Sequence, residues 1–215
     1  MCRSLSGPLA GCLTAGLALV LLAGCAGPRL TASPGPGVQV APDGQRATAV
    51  SRGLTVRLDL AAAAPAAARE HLLPLRIQVE HAGPGDLPLT PGDFLLRTEE
   101  KLQVAALAPA EAAAAAVGPE PGPGVTPHIS VGAAGPHPTV GVFGLGLVFG
   151  AGGRGAREAL LAAAFPFGTL APGGRADGFL YFPRAAARGG LTLLVLPAAW
   201  PAGAEPLALP LRWAE

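Results

Sequence analysis

The side chains that could carry chemistry are few and scattered. Histidines stand at His71, His81, His128 and His137. They form no HxxxH, HxxH or HxH pair, so no single helix or strand presents two imidazoles to one metal ion. They are expected to be solvated loop residues, with His128 and His137 lying directly beside proline and His81 two residues before Gly83. Beyond residue 25 the serines are Ser33, Ser51 and Ser130, and no Gly-x-Ser-x-Gly elbow surrounds them. His128 and Ser130 stand two apart without a third group to orient them, so they make no nucleophile–base pair. Glu99 and Glu100 would face opposite sides of a strand or both be solvated on a turn, which gives no carboxylate dyad. Gly144, Gly146 and Gly150 spell G-x-G-x-x-x-G, one residue off the dinucleotide fingerprint. Asp177 lies too far on to hold a ribose, and no Lys-Ser or Lys-Thr follows for a P-loop. Nucleotide binding is therefore excluded, and no catalytic residue, cofactor or metal ligand set is assigned.

Charge narrows the partners further. The 215 residues carry 13% charged side chains and a formal net charge of +1. An electrostatic grip on nucleic acid needs a basic excess that this chain lacks.

The most informative chemistry is a thiol. Arg3 precedes an apolar run over about residues 13–22, and small residues follow, the three-part layout of a secretory signal peptide. Leu22-Ala23-Gly24-Cys25 then resembles the lipobox of bacterial lipoproteins. In that family the cysteine receives a diacylglyceryl group, cleavage leaves it first, and its amine is commonly acylated with a fatty acid such as palmitate. The resemblance covers residues 1–25. It implies a signal peptide over 1–24, with Leu22, Ala23 and Gly24 as the peptidase recognition residues and Cys25 as the lipidated one. Cys2 and Cys12 would leave with the leader, so Cys25 would stand alone and no intramolecular disulfide could form. Several acyl chains make a stable membrane anchor, where one is marginal. Ala26, rather than Asp, after the cysteine resembles the sorting signal for the outer membrane in organisms with two membranes.

The elements that must position anything else read mainly as β. After a Gly/Pro tether over 25–37, the period is two. Leu54, Val56, Leu58 and Leu60 alternate with Thr55, Arg57 and Asp59, and Leu75, Ile77 and Val79 alternate with Arg76, Gln78 and Glu80. Residues 94–98 and 102–107 read as a hairpin around Glu99, Glu100 and Lys101. Strands at 178–183, 191–196 and 207–213 complete seven or eight, which predicts two packed antiparallel sheets over 38–215. One short helix is expected at about 155–165, stopped by Pro166. Residues 112–116 are expected to be no more than a frayed turn within a Pro/Gly/Ala-rich insertion over 108–155.

Lipobox, tether and strand pattern together resemble bacterial extracellular Ig-like lipoproteins, whose late turn-then-strand is similar to residues 168–182. This implies an Ig-like β-sandwich without catalytic residues: a lipid-anchored envelope module that binds or supports an envelope protein. An envelope hydrolase or metal protein, its site assembled from loop residues such as His128 and His137, is the alternative. The uncharged segment 140–150 carries Phe143, Leu145 and Phe149. Either it folds back into the core or these three residues form an interaction surface.

Overall fold

The computed structural model describes residues 29–118, 153–184 and 189–214. The chain enters as β1 (Arg29–Ala32), β2 (Val38–Val40), β3 (Arg46–Ser51) and β4 (Leu54–Asp59). Next come α1 (Ala66–His71), β5 (Leu72–His81), β6 (Leu87–Leu89), β7 (Phe94–Thr98), β8 (Gln103–Ala105) and α2 (Pro109–Val117). It continues through α3 (Gly153–Ala163), β9 (Gly168–Leu170), β10 (Arg175–Pro183), β11 (Leu191–Val195) and β12 (Leu207–Ala214).

Two five-stranded sheets hold most of these strands, in the orders β10-β5-β4-β3-β2 and β1-β12-β11-β7-β8, and β6 pairs with β9 separately. The period-two pattern explains the packing. Leu54, Val56 and Leu58 of β4 and Leu75, Ile77 and Val79 of β5 are buried against Leu96 of β7, Leu193 of β11 and Leu209 of β12 in one core. Thr55 and Arg57 alternate with them toward the other face. The fold is thus mainly β, with antiparallel pairing along β2-β3-β4-β5-β10 and β8-β7-β11-β12.

Two expectations need correction. The first concerns the tether: β1 lies inside the stretch 25–37, with Leu30 and Ala32 buried, so regular structure starts at Arg29 rather than Val38. Its backbone is tied down, Ala32 N–H donating to Gly44 O at 2.7 Å and Ser33 N–H to Pro210 O at 2.9 Å. The second concerns helices, of which the described residues hold three rather than one. At α2, Pro109 occupies the first turn, where its missing N–H is harmless. The Glu111 carboxylate accepts the Ala108 N–H at 3.1 Å. An alanine run of the highest helix propensity follows, and the nine-residue helix does not fray to a turn. It also gains burial: α1, α2 and α3 cover Phe179 and Tyr181 of β10 with Ala68, Ala112, Ala113, Ala116 and Leu160. The Tyr181 hydroxyl donates to Leu160 O at 3.2 Å, and burial pushes its phenol up to about 12.

The outer edge of β10 is closed by the chain after α3 together with the chain leaving β8. Phe165 N–H donates to Phe179 O at 2.9 Å, and Leu107 N–H to Tyr181 O at 2.8 Å. This removes an exposed strand edge that would otherwise invite pairing with another chain. Phe165 then packs edge-to-face with Phe94 and Phe167, at ring separations of 5.4 and 5.3 Å. So close an approach requires Gly178, since a Cβ there would lie 2.5 Å from Phe165 Cα. At the β3–β4 hairpin Arg52 and Gly53 both have positive φ, 49° and 74°, the signature of a two-residue I′ turn.

Candidate functional site

The polar positions of the alternating strands meet on the outer face of the first sheet. Register aligns Asp177, Gln78, Arg57, Thr48 and Gln39 in one row across β10, β5, β4, β3 and β2. A neighbouring row brings Arg76, Asp59 and Arg46 side by side. Between them lies a shallow open groove of about 660 Å³, lined by these eight residues with Val40, Ala41, Ala47, Leu58 and Ile77.

The side chains at one end of the groove hold one another. Arg76 grips Asp177 with both arms of its fork, Nε to Oδ1 at 3.1 Å and Nη2 to Oδ2 at 3.0 Å. The hydrogen bond from Arg76 holds the Asp177 carboxyl below its usual range, and the same bond raises the guanidinium. Glu80 accepts from Arg57 and, at 2.6 Å, from Gln78 Nε2. The Arg57 bond is the main reason the Glu80 carboxyl is lowered. Arg175 donates to Gln78 Oε1 and stands 3.8 Å from Glu80. These exposed pairs each contribute little to stability. Their effect is to fix the orientation of donors and acceptors before anything arrives.

The arrangement suits binding. Its one hydroxyl is that of Thr48, which the register sets opposite Arg57. Among the described residues no group of three or more His, Cys, Asp or Glu is placed to hold a metal ion. What it offers is a flat array of Arg, Gln, Thr and carboxylate groups to a polar ligand.

The residues singled out in the sequence fare differently. Leu22, Ala23, Gly24 and Cys25 lie outside the described residues, as do Phe143, Leu145, Phe149, His128, Ser130 and His137. His71 is exposed at the end of α1, 3.8 Å from Glu70. His81 is not a solvated loop residue. It ends β5 buried, with Nε2 2.9 Å from Gly85 O. A carbonyl only accepts, so Nε2 carries the hydrogen. Nδ1 has no partner among the described residues. Glu99 and Glu100 are both exposed on the β7–β8 turn. Asp93 is buried and structural, accepting from Thr90 N–H and Oγ1 at 2.6 and 2.9 Å and from Ala198 N–H at 2.7 Å.

The groove was not assembled from the sequence. Its signal was present in the polar halves of β4 and β5, where Arg57, Asp59, Arg76 and Gln78 mark a solvent face. What joins them to Asp177, a hundred residues away, is the pairing of β5 with β10. Comparison with protein-family models, curated proteins and solved structures finds no match to this chain.

Proposed function

We propose that this chain is a lipid-anchored lipoprotein of the cell envelope whose β domain is an Ig-like binding or assembly-support module without chemistry of its own. The observation that carries the reading is the Leu22-Ala23-Gly24-Cys25 ending after an apolar leader, a few residues ahead of β1. Cys25 joins the protein to the membrane, on the outer membrane where the organism has two. No helix among the described residues is long and apolar enough to cross a bilayer.

Strand order supports the Ig-like part. Sheet neighbours β4-β5-β10 correspond to A-B-E, and β12-β11-β7-β8 to G-F-C-C′. In this reading α2 and α3 fall in the chain between C′ and E, and β1, β2 and β3 are additions at the start. The antibody-type disulfide has no counterpart, because no cysteine follows Cys25. The pre-oriented polar groove supports binding, and its occupant is an envelope component bearing hydrogen-bonding groups.

Metabolic fatty-acid labelling of wild type and Cys25→Ser tests the anchor. The wild type incorporates label and loses its leader, whereas the variant is unlabelled and keeps it. Equal labelling of both proteins refutes the proposal.

A further inference from the structure

The chain from Cys25 to the fold is too short to let the domain stand away from the membrane, a point that rests on Cys25 carrying the acyl anchor. A tether reaching Gly37 would hold the domain up to about 35 Å from the lipid surface. Leu30, however, is already buried in β1. Five residues of extended chain bring it no further than about 18 Å from Cys25.

Which end of the domain this brings to the lipid follows from hydrogen bonding and register. Thr31 Oγ1 donates to Arg212 O at 3.2 Å and Ser33 N–H to Pro210 O at 2.9 Å, so β1 enters beside the last residues of β12. Leu211 of β12 pairs with Leu191 of β11, which pairs with Thr98 of β7. The β7–β8 turn therefore shares that end. It carries Lys101 and Leu102, and Leu102 is 60% exposed although apolar. Trp213 lies there too, only partly buried against the core. An exposed leucine, a partly exposed indole and the flexible cations Lys101 and Arg212 are groups that settle at a bilayer interface. Asp43, in the loop bonded to β1, and Glu99 and Glu100 offset Arg29, Lys101 and Arg212, so the attraction is apolar and not to anionic headgroups.

We infer that in the anchored protein this end rests on the headgroup layer, with Leu102 and Trp213 as its contacts. The β11–β12 loop lies at the opposite end, about 25 Å away along the eight residues of β12. That loop faces away from the membrane, where a partner can reach it.

The mature chain has no cysteine besides Cys25, so single thiols can be introduced cleanly. Lipidated full-length protein carrying Leu102→Cys, or Ala202→Cys in the exposed β11–β12 loop, is labelled with a fluorophore in phosphatidylcholine vesicles containing headgroup-nitroxide lipid. Quenching is expected to be severalfold greater at position 102 than at 202, and to fall to the 202 level when twelve Gly/Ser residues are inserted after Pro28. Adding anionic lipid is expected to change it less than twofold. Equal quenching at the two positions in protein whose Cys25 carries lipid overturns the apposition and leaves the anchor standing. A larger response to anionic lipid overturns the apolar contact. Absence of lipid on Cys25, read by intact mass on the same samples, overturns both.

Discussion

A single methyl group at Gly178 gives a sharp test of how the chain after α3 closes the β10 edge. The backbone there needs no glycine for its dihedrals, since Gly178 is absent from the positive-φ residues of the described chain. Its requirement is space alone. An alanine Cβ would sit 2.5 Å from Phe165 Cα, 2.6 Å from Ala164 O and 2.6 Å from Phe165 N. All three are backbone atoms, so no side chain can rotate away. Ala164–Phe165 must move outward, which weakens the bond from Phe165 N–H to Phe179 O and loosens the contacts among Phe94, Phe165 and Phe167. Overpacking of this kind costs about 1–3 kcal/mol, and a weakened backbone hydrogen bond adds about 1 kcal/mol. A total near 3 kcal/mol corresponds to a fall in Tm of roughly 6–12 °C for a domain of this size. Gly155→Ala is the control: it lies in α3, and a Cβ there meets nothing within 4 Å. Alanine at that position is expected to be neutral or to stabilise by up to about 1 kcal/mol. Urea titration and calorimetry of the two variants beside wild type measure the difference. Gly178→Ala within about 0.5 kcal/mol of wild type, a difference typical of surface substitutions, would refute the packing argument for this edge.

The two faces of β4 give a second test. Leu58→Asp puts an unpaired carboxylate at a site 1% exposed and is expected to abolish cooperative folding in circular-dichroism melts. Arg57→Asp, which breaks the exposed partnership with Glu80 and sets a second carboxylate beside it, is expected to keep a cooperative melt within a few degrees of wild type; equal damage from both would count against the assigned faces. Alkaline titration reads the third, at Tyr181. The folded phenol is raised to about 12 while the unfolded one ionises near 10, so the native state binds the proton more tightly. Stability is therefore unaffected below about pH 10 and declines as pH rises toward 12, by up to about 3 kcal/mol for two units at about 1.4 each. Tyr181→Phe removes that alkaline loss and, by deleting the bond to Leu160 O, costs about 1 kcal/mol at neutral pH. An unchanged alkaline limb in the variant would assign the loss to other groups.

Several elements were legible because they bury large side chains at a clear period. Leu54, Val56 and Leu58, or Leu207, Leu209 and Leu211, announce a strand and the face it buries without reference to any neighbour. The helix expected at 155–165 corresponds to α3, and the hairpin around Glu99–Lys101 corresponds to β7 and β8. Burial by small residues leaves no such mark. In β3 the inward residues are Ala47 and Ala49, while Val50, the apolar side chain that periodicity would weigh most, is 62% exposed. In β1 a leucine and an alanine carry the pattern within four residues, inside a stretch whose Pro and Gly argue for a tether. Short strands such as β2, β6 and β9 acquire their conformation from the strand beside them, which no local pattern encodes.

What the sequence determined by itself was therefore local: the apolar leader with its Leu22–Cys25 ending, the lack of paired ligands or a catalytic elbow, and the strands with large alternating side chains. The tertiary structure alone decided which polar residues meet. Arg76 and Asp177 clasp one another because β10 pairs with β5 in a register that places Asp177 opposite Gln78, with Arg76 two residues along. It also decided that His81 is buried and that β1 extends the fold to Arg29. Strand pairing over a hundred residues depends on the sum of many burial and hydrogen-bond terms, each small and none attached to a short motif. A motif read locally can name a chemical group, but only that pairing sets its neighbours.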